Sequence, residues 1–339
     1  MTPARASAYR VRPCRLAGVA MSVHLPRLLA AALLLVAGTT AAAPLAWVPN
    51  QKSGSISVID TASDTVVRTL TAGGALGDRV QALDVDARGR TLYVVDAGHD
   101  QLVALDPATD QVRGKVAIGA DAEGVRLSPD DRTIAICAEG QHQVLLVDAA
   151  TLAISARIKV RGRNPEHCEF SPDGKYLVTS NEGSNDLDVI DLATRASVGS
   201  IATAGHPRGA AFLPRSSMLY VAQESANGVD LVDFDARRKI ATIATADRAA
   251  GVTVAPDGKR VYVANGSGSV TVIDVASSAV IREIAVGKRP WNMAITPDGR
   301  KLYVANGRSN SVSVIDTRSF KVMKEIAVGE LPWGVVIAP

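Results

Sequence analysis

The chain has 339 residues, 47% of them hydrophobic, with 37 basic and 34 acidic side chains. That is ample apolar material for a large core. No Lys/Arg cluster stands out that would suit a nucleic acid, so that class of partner is excluded.

The first segment reads as an export signal. Leu28 to Val36 is an apolar run behind Arg27, and Ala41-Ala42-Ala43 follows as a small-residue cleavage zone. The run is short for a membrane span, and an uncleaved anchor is the alternative. Residues 1–20 are unusual before such a leader, which makes Met21 the candidate start. The expected division is a signal peptide over 1–43 and one domain over 44–339. Residues 1–43 carry five arginines and no acid, so the remainder holds 32 basic and 34 acidic residues and is slightly acidic. The mature chain is then expected in the periplasm, away from the membrane. Cys137 and Cys168 remain; an exported pair could form a disulfide, and two buried thiols are the other reading.

From residue 46 onward one module repeats. An aspartate closes a V-I-D-like strand at Asp60, Asp106, Asp148, Asp191, Asp233, Asp274 and Asp316, at intervals of 46, 42, 43, 42, 41 and 42 residues. The last full copy shows the unit. Strand a is expected over 291–296, a Pro297-Asp298-Gly299 turn follows, strand b covers 301–305, strand c 311–315 and strand d 321–327. Several short strands per 42-residue period predict an all-β, seven-bladed β-propeller of four-stranded blades. The chain opens on a strand b at Ala46–Asn50 and ends on a lone strand a from Pro332, so the tail is expected to complete the first blade and close the ring.

Strand direction sorts the loops. The a–b and c–d turns share one face and are uniform. The b–c and d–a loops share the other and differ between blades, which is where a site is sought. His99 and His142 fall in b–c loops, His167 begins a strand a, and His206 lies in a d–a loop. Glu139, Glu182 and Glu224 align in successive b–c loops. Glu123, Glu166, Arg208, Trp291 and Trp333 share the mouth position of strand a. Deeper along the same strand, Asp84, Arg126 and Glu169 align in three consecutive blades.

Several chemistries fit these residues. A wet, self-satisfied charge network is one. A ligand site built from His167, Glu166, Arg208, Arg126, Glu169 and Asp84, with Trp291 and Trp333 as stacking surfaces, is another. His99, His142, His167 and His206 could converge on a metal, although no spacing within one element supports it. Glu166, His167 and Arg208 could perform acid–base work on a lactone. No C-x-x-C-H, G-x-S-x-G, Walker loop or G-x-G-x-x-G occurs, so no cofactor is expected.

The segments LYVANG at 302–307, VYVANG at 261–266 and LYVAQE at 219–224 resemble the YVTN β-propeller repeat, over about residues 46–339. The stretch VGKRPWNMAITPDGRKLYVANGRSNSVSVIDT, followed by VGELPWGVVIAP, resembles exported YVTN proteins associated with PQQ-dependent alcohol catabolism. That resemblance implies a periplasmic, non-catalytic accessory role and transfers no active-site residues. The expectation is therefore a binding or scaffold module with a protein or small-molecule partner on the variable face. Lactonases and the eight-bladed haem d1 domain of nitrite reductases are related propellers.

Overall fold

The structure, a computed structural model, describes residues 43–338. The leader and the start at Met21 lie outside that range but for Ala43. Seven four-stranded antiparallel sheets form the blades of a seven-bladed β-propeller. Blade 2 runs from Val80 to Ala117, blade 3 from Ala122 to Lys159, blade 4 from Pro165 to Ala202 and blade 5 from Pro207 to Ala244. Blade 6 covers Ala249–Ala285 and blade 7 Pro290–Ala327. Blade 1 takes Leu45–Leu70 for its three outer strands and borrows its inner strand from the chain end, where Ala46 pairs with Ile337 and Trp47 with Val336. That borrowed strand is only Val336–Ile337, shorter than the lone strand expected from Pro332, with a single bridge from Pro332 to Asn50 above it.

The repeating aspartate has a local explanation. In every c–d turn its carboxylate accepts a backbone N–H two or three residues on: Ala62 to Asp60 at 2.7 Å, Ala108 to Asp106 at 2.8 Å and Ser319 to Asp316 at 2.7 Å are examples. This side-chain turn lets the fourth residue after each aspartate adopt a left-handed backbone, from Asp64 to Phe320, without any glycine there. A short polar residue at that one place is thus a geometric requirement, used seven times.

Strand b carries the packing. Tyr220, Tyr262 and Tyr303 are fully buried. The apolar core divides into seven clusters, each shared by two neighbouring blades, such as Cys137 and Leu146 of blade 3 with Phe170 and Leu177 of blade 4. No blade has a core of its own. At the seam between blades 7 and 1, the Tyr303 hydroxyl donates to Asp64, and Lys301 Nζ reaches Asp64 at 2.7 Å and the Thr61 carbonyl at 2.8 Å. At the opposite side of the ring a Cys137–Cys168 disulfide ties strand b of blade 3 to the inner strand of blade 4. Of the two readings open for this pair, the structure takes the bonded one.

Candidate functional site

The inner strands define a ladder of levels along the axis. Level 2 is the mouth: Gln81, Glu123, Glu166, Arg208, Ala250, Trp291 and Trp333. Level 3 is Ala82, Gly124, His167, Gly209, Gly251, Asn292 and Gly334. Level 5 is Asp84, Arg126, Glu169, Ala211, Thr253, Ala294 and Val336. Pairing with strand b slips between the first and fourth residues of the inner strand in blades 2, 3, 5, 6 and 7, a bulge that re-aims the mouth side chains. Level 3 is mostly glycine or alanine because the inner strands nearly touch there. A Cβ on Gly209 would lie 2.9 Å from the Ala250 carbonyl oxygen, and one on Gly124 would strike the carbonyl of Glu166.

The mouth is shut. Glu166 is 1% exposed, and Gln81, Arg208, Ala250 and Trp333 are all buried. Arg208 is the hub: its Nη2 lies 2.8 Å from Glu166 Oε1, and its Nη1 lies 3.1 Å from Glu182 and 3.6 Å from Glu224. Arg289 Nη2 reaches Glu224 at 2.9 Å, Arg248 Nε reaches it at 3.3 Å, and His206 sits between Glu182 and Glu224. Trp291 and Trp333 stack on each other with centroids 4.6 Å apart, and the Arg289 guanidinium lies 4.1 Å above the Trp291 ring. These tryptophans fill the plug and spend their faces on each other and on arginine.

Charge in the plug is unevenly balanced. Burial drives Glu166 well above the usual carboxylate range, against the pull of Arg208. Glu182 is held low against its own burial by Glu166, Arg208 and His206. Of the two, Glu166 is the more readily protonated. Burial, then Glu123, Glu182 and Asp121, push Glu139 up to about 7. Burial, and then Arg208, drop His167 to about 3, so its ring is neutral.

Below the plug the axis opens. A cavity of about 570 Å³ runs from Gly124, His167, Gly209, Asn292 and Trp333 down to Ala87, Pro129 and Pro214, which are exposed residues of the a–b turns. One arc of its wall is charged. Arg126 donates to Glu169 Oε2 through Nε at 2.9 Å and Nη2 at 2.6 Å. Asp84 accepts the Leu127 N–H at 2.8 Å and the Val85 N–H at 2.9 Å. Burial raises both acids, Arg126 opposes that rise, and Glu169 in turn raises Arg126. The facing arc is apolar, with Ala211, Ala294 and Val336 at the same level.

The residues read from the sequence thus separate into two places. Glu166, Arg208, Trp291 and Trp333 meet in the plug. Asp84, Arg126 and Glu169 meet in the cavity, and His167 links the two. The four histidines do not converge. His99 Nδ1 pairs with Asp96 at 2.9 Å, His142 Nδ1 accepts the Asn164 N–H at 3.2 Å, and His206 serves the Glu182–Glu224 pair. Among the described residues no three His, Cys, Asp or Glu side chains are disposed to hold a metal ion. Arg248 and Arg289 were missed by sequence reasoning. Their signal was position: like His206 they stand one residue before an inner strand, in a left-handed backbone that aims the side chain at the axis. The buried Asn50, Asp96, Asn181, Gln223, Asn265 and Asn306, closing strand b, were also missed, although the repeated L-Y-V-A-N displays them. Asn50 and Asn306 tie strand b to serines of strand c at 2.8–3.2 Å.

A family model described as YNCE-like beta-propeller matches residues 2–338. No curated protein matches the chain. Among solved structures, a functionally unknown protein from Desulfotomaculum acetoxidans superposes with a TM-score of 0.76 at 16% identity, over 87% of this chain and 98% of that one. A protein from Bacteroides uniformis described as a candidate 6-phosphogluconolactonase gives 0.74 at 20% identity, over 87% and 99%. Kuenenia stuttgartiensis hydrazine synthase gives 0.70 at 21% identity, over 76% and 89%. At these identities the likeness concerns the fold.

Proposed function

Starting from the chain's membership of the YNCE-like β-propeller family, we propose that it is an exported, non-catalytic binding or scaffold module whose partner docks on the b–c and d–a rim. One observation carries the reading. Of Glu166, His167 and Arg208, the residues that would have to perform acid–base chemistry at the mouth, Glu166 and Arg208 are 1% and 8% exposed and engaged with each other, and His167 faces the cavity below. A reacting group needs hydrogen-bond access to its substrate, and here that access is filled by Trp291, Trp333 and Arg208. The same network braces the rim from below, so Glu139, Glu182, Arg248 and His206 are presented on fixed backbone. The Cys137–Cys168 bond fits an oxidising compartment and supports the periplasmic assignment. The repeat resemblance supports a place beside a PQQ-dependent oxidation system.

The lactonase alternative fares less well for a phosphorylated substrate. Arg126, the cation among the cavity-lining residues, lies between Glu169 and Asp84 and leaves no surplus positive charge for a phosphate. The purified protein is expected to turn over no member of a lactone panel that includes 6-phosphogluconolactone. It is expected to bind the quinoprotein dehydrogenase of its own organism in biolayer interferometry, and the rim double variant Glu139→Lys, Arg248→Glu is expected to weaken that binding. Turnover, or binding indifferent to the rim variant, overturns the reading.

A further inference from the structure

The lower cavity is not explained by a partner on the opposite rim. Its shape and wall chemistry stand independently of that reading. Glycine and alanine dominate its ceiling and alanine much of its apolar arc, so the void follows from residue size at levels 3 and 5. The plug closes it above, and the a–b turns leave it open below. Its volume lies within the range of small-molecule sites.

The charged arc has one unfinished edge. Arg126 places Nε and Nη2 on a single oxygen, Glu169 Oε2. Its Nη1 makes no protein hydrogen bond, and the side chain is 41% exposed, which this deep in the ring means exposed to the cavity. Glu169 Oε1 is likewise outside the pair's hydrogen bonds, and that side chain is 19% exposed. A donor and an acceptor therefore stand next to each other on a wall fixed by the ion pair. Asp84 offers little more, because both its oxygens already accept backbone N–H groups. The facing wall is mainly apolar, with Ala211, Phe212, Val254, Ala294, Ile295 and Val336; its polar groups include Thr253, whose hydroxyl donates to the Met293 carbonyl at 2.9 Å, and Asn292 nearer the plug.

We propose that this cavity binds a small uncharged molecule that carries a hydrogen-bond acceptor and a donor side by side at one end and an apolar body at the other. The acceptor meets Arg126 Nη1, the donor meets Glu169 Oε1, and the body lies against the apolar arc. An anion is disfavoured because Arg126 is flanked by two carboxylates. An ammonium is disfavoured because it has no acceptor for Arg126 Nη1 and, donating to Glu169 Oε1, would leave that N–H facing its own charge. Amides, and hydroxyl groups beside a carbonyl, have the required pattern. A phosphate or a bare carboxylate does not.

The test uses the mature propeller and three probes on one ring: benzamide, benzoate and benzylammonium. Binding is read from the methyl shifts of Ala211 and Ala294 in alanine-labelled protein, which locates it in this cavity and not on the rim. Benzamide is expected to titrate with a Kd of about 10 mM or tighter, as suits nine heavy atoms. Benzoate and benzylammonium are expected to bind about tenfold more weakly, the effect of one charge-assisted hydrogen bond. Arg126→Met is expected to weaken benzamide by a similar factor. Because that change exposes Glu169 to loss of its partner, Ala294→Phe provides a second arm: it fills the apolar arc, leaves the ion pair in place and abolishes binding. Benzoate or benzylammonium binding as tightly as benzamide, benzamide binding unchanged by Ala294→Phe, or no methyl shift with any probe overturns the proposal. None of these outcomes bears on the rim, whose own test is the dehydrogenase titration.

Discussion

The two ends of the axis are built by the same seven strands and come out opposite, and the contrast lies in side-chain size and charge at two levels only three residues apart. At level 2 Arg208, Glu166, Trp291 and Trp333 interlock until the mouth is shut. At level 5 alanine, threonine and valine on four blades leave a void, and three charged residues line the other side. A repeat supplies identical backbone; what it does along the axis is decided by which copies depart from the consensus. The uniform features, the c–d aspartates and buried tyrosines, hold blades together. The departures form either a sealed keystone or an open chamber.

This contrast can be broken most severely at the hub. Arg208→Ala removes the cation shared by Glu166, Glu182 and Glu224, and loss of one partner of a buried pair costs about 3 kcal/mol. Thermal denaturation should show a large fall in Tm, and Arg208→Lys, which restores the charge without the fork, should recover only part of it. A similar loss for Arg208→Ala and for an exposed arginine such as Arg308 would mean that the plug bears no strain of charge. Arg126→Met in the cavity should destabilise less, about 1–2 kcal/mol, since water reaches Glu169 when its partner is gone.

Titration separates the rim from the axis below the plug. Glu139, faced by Glu123, Glu182, Asp121 and Arg208, has a folded pKa of about 7, above the ordinary carboxylate value. Its contribution is therefore fully present below about pH 4.5 and is lost as pH rises toward 7. Glu139→Gln should gain stability relative to the parent between pH 5 and 7.5 in urea unfolding; a parallel offset at all pH values would refute this. His167, faced by Glu166, Arg208, Arg126 and Glu182, runs the other way. With a folded pKa of about 3 it adds stability above about pH 6.5 that is lost as pH falls. His167→Asn should flatten the acid limb. The smallest effect belongs to a single turn: Asp316→Ala, which removes acceptor bonds at the protein surface, should lower Tm by about 2 °C.

Much of this molecule was legible from residues alone, for reasons particular to each feature. The blade count, the strand order and the closure came from a 42-residue period, because a repeat samples the same turn geometry seven times and any one Asp-Thr or Pro-Asp-Gly is confirmed by the rest. Level 5 was legible too, since Asp84, Arg126 and Glu169 keep the same register on adjacent strands and so must be neighbours. The closed mouth was not. Whether seven side chains converging on an axis leave a funnel or fill it depends on the bulge-directed aim of Glu166 and Arg208 and on the Trp291–Trp333 stack. None of these has a period. The four histidines misled for the same reason: being on one rim says nothing about distance around it, and His99 and His206 find different partners on different blades. The disulfide was undecided because spacing cannot report how two strands of adjacent blades approach.

The short seam between Ala46–Trp47 and Val336–Ile337 sets a clock on assembly. Six blades take all four strands from one continuous stretch, yet each still needs its neighbours for a core, and the first leaves the side of Trp47 unprotected until Val336–Ile337 pairs beside it. Blade 1 therefore cannot be completed before the chain has passed through blade 7. The ring locks only once Val336–Ile337 swings back to Ala46–Trp47.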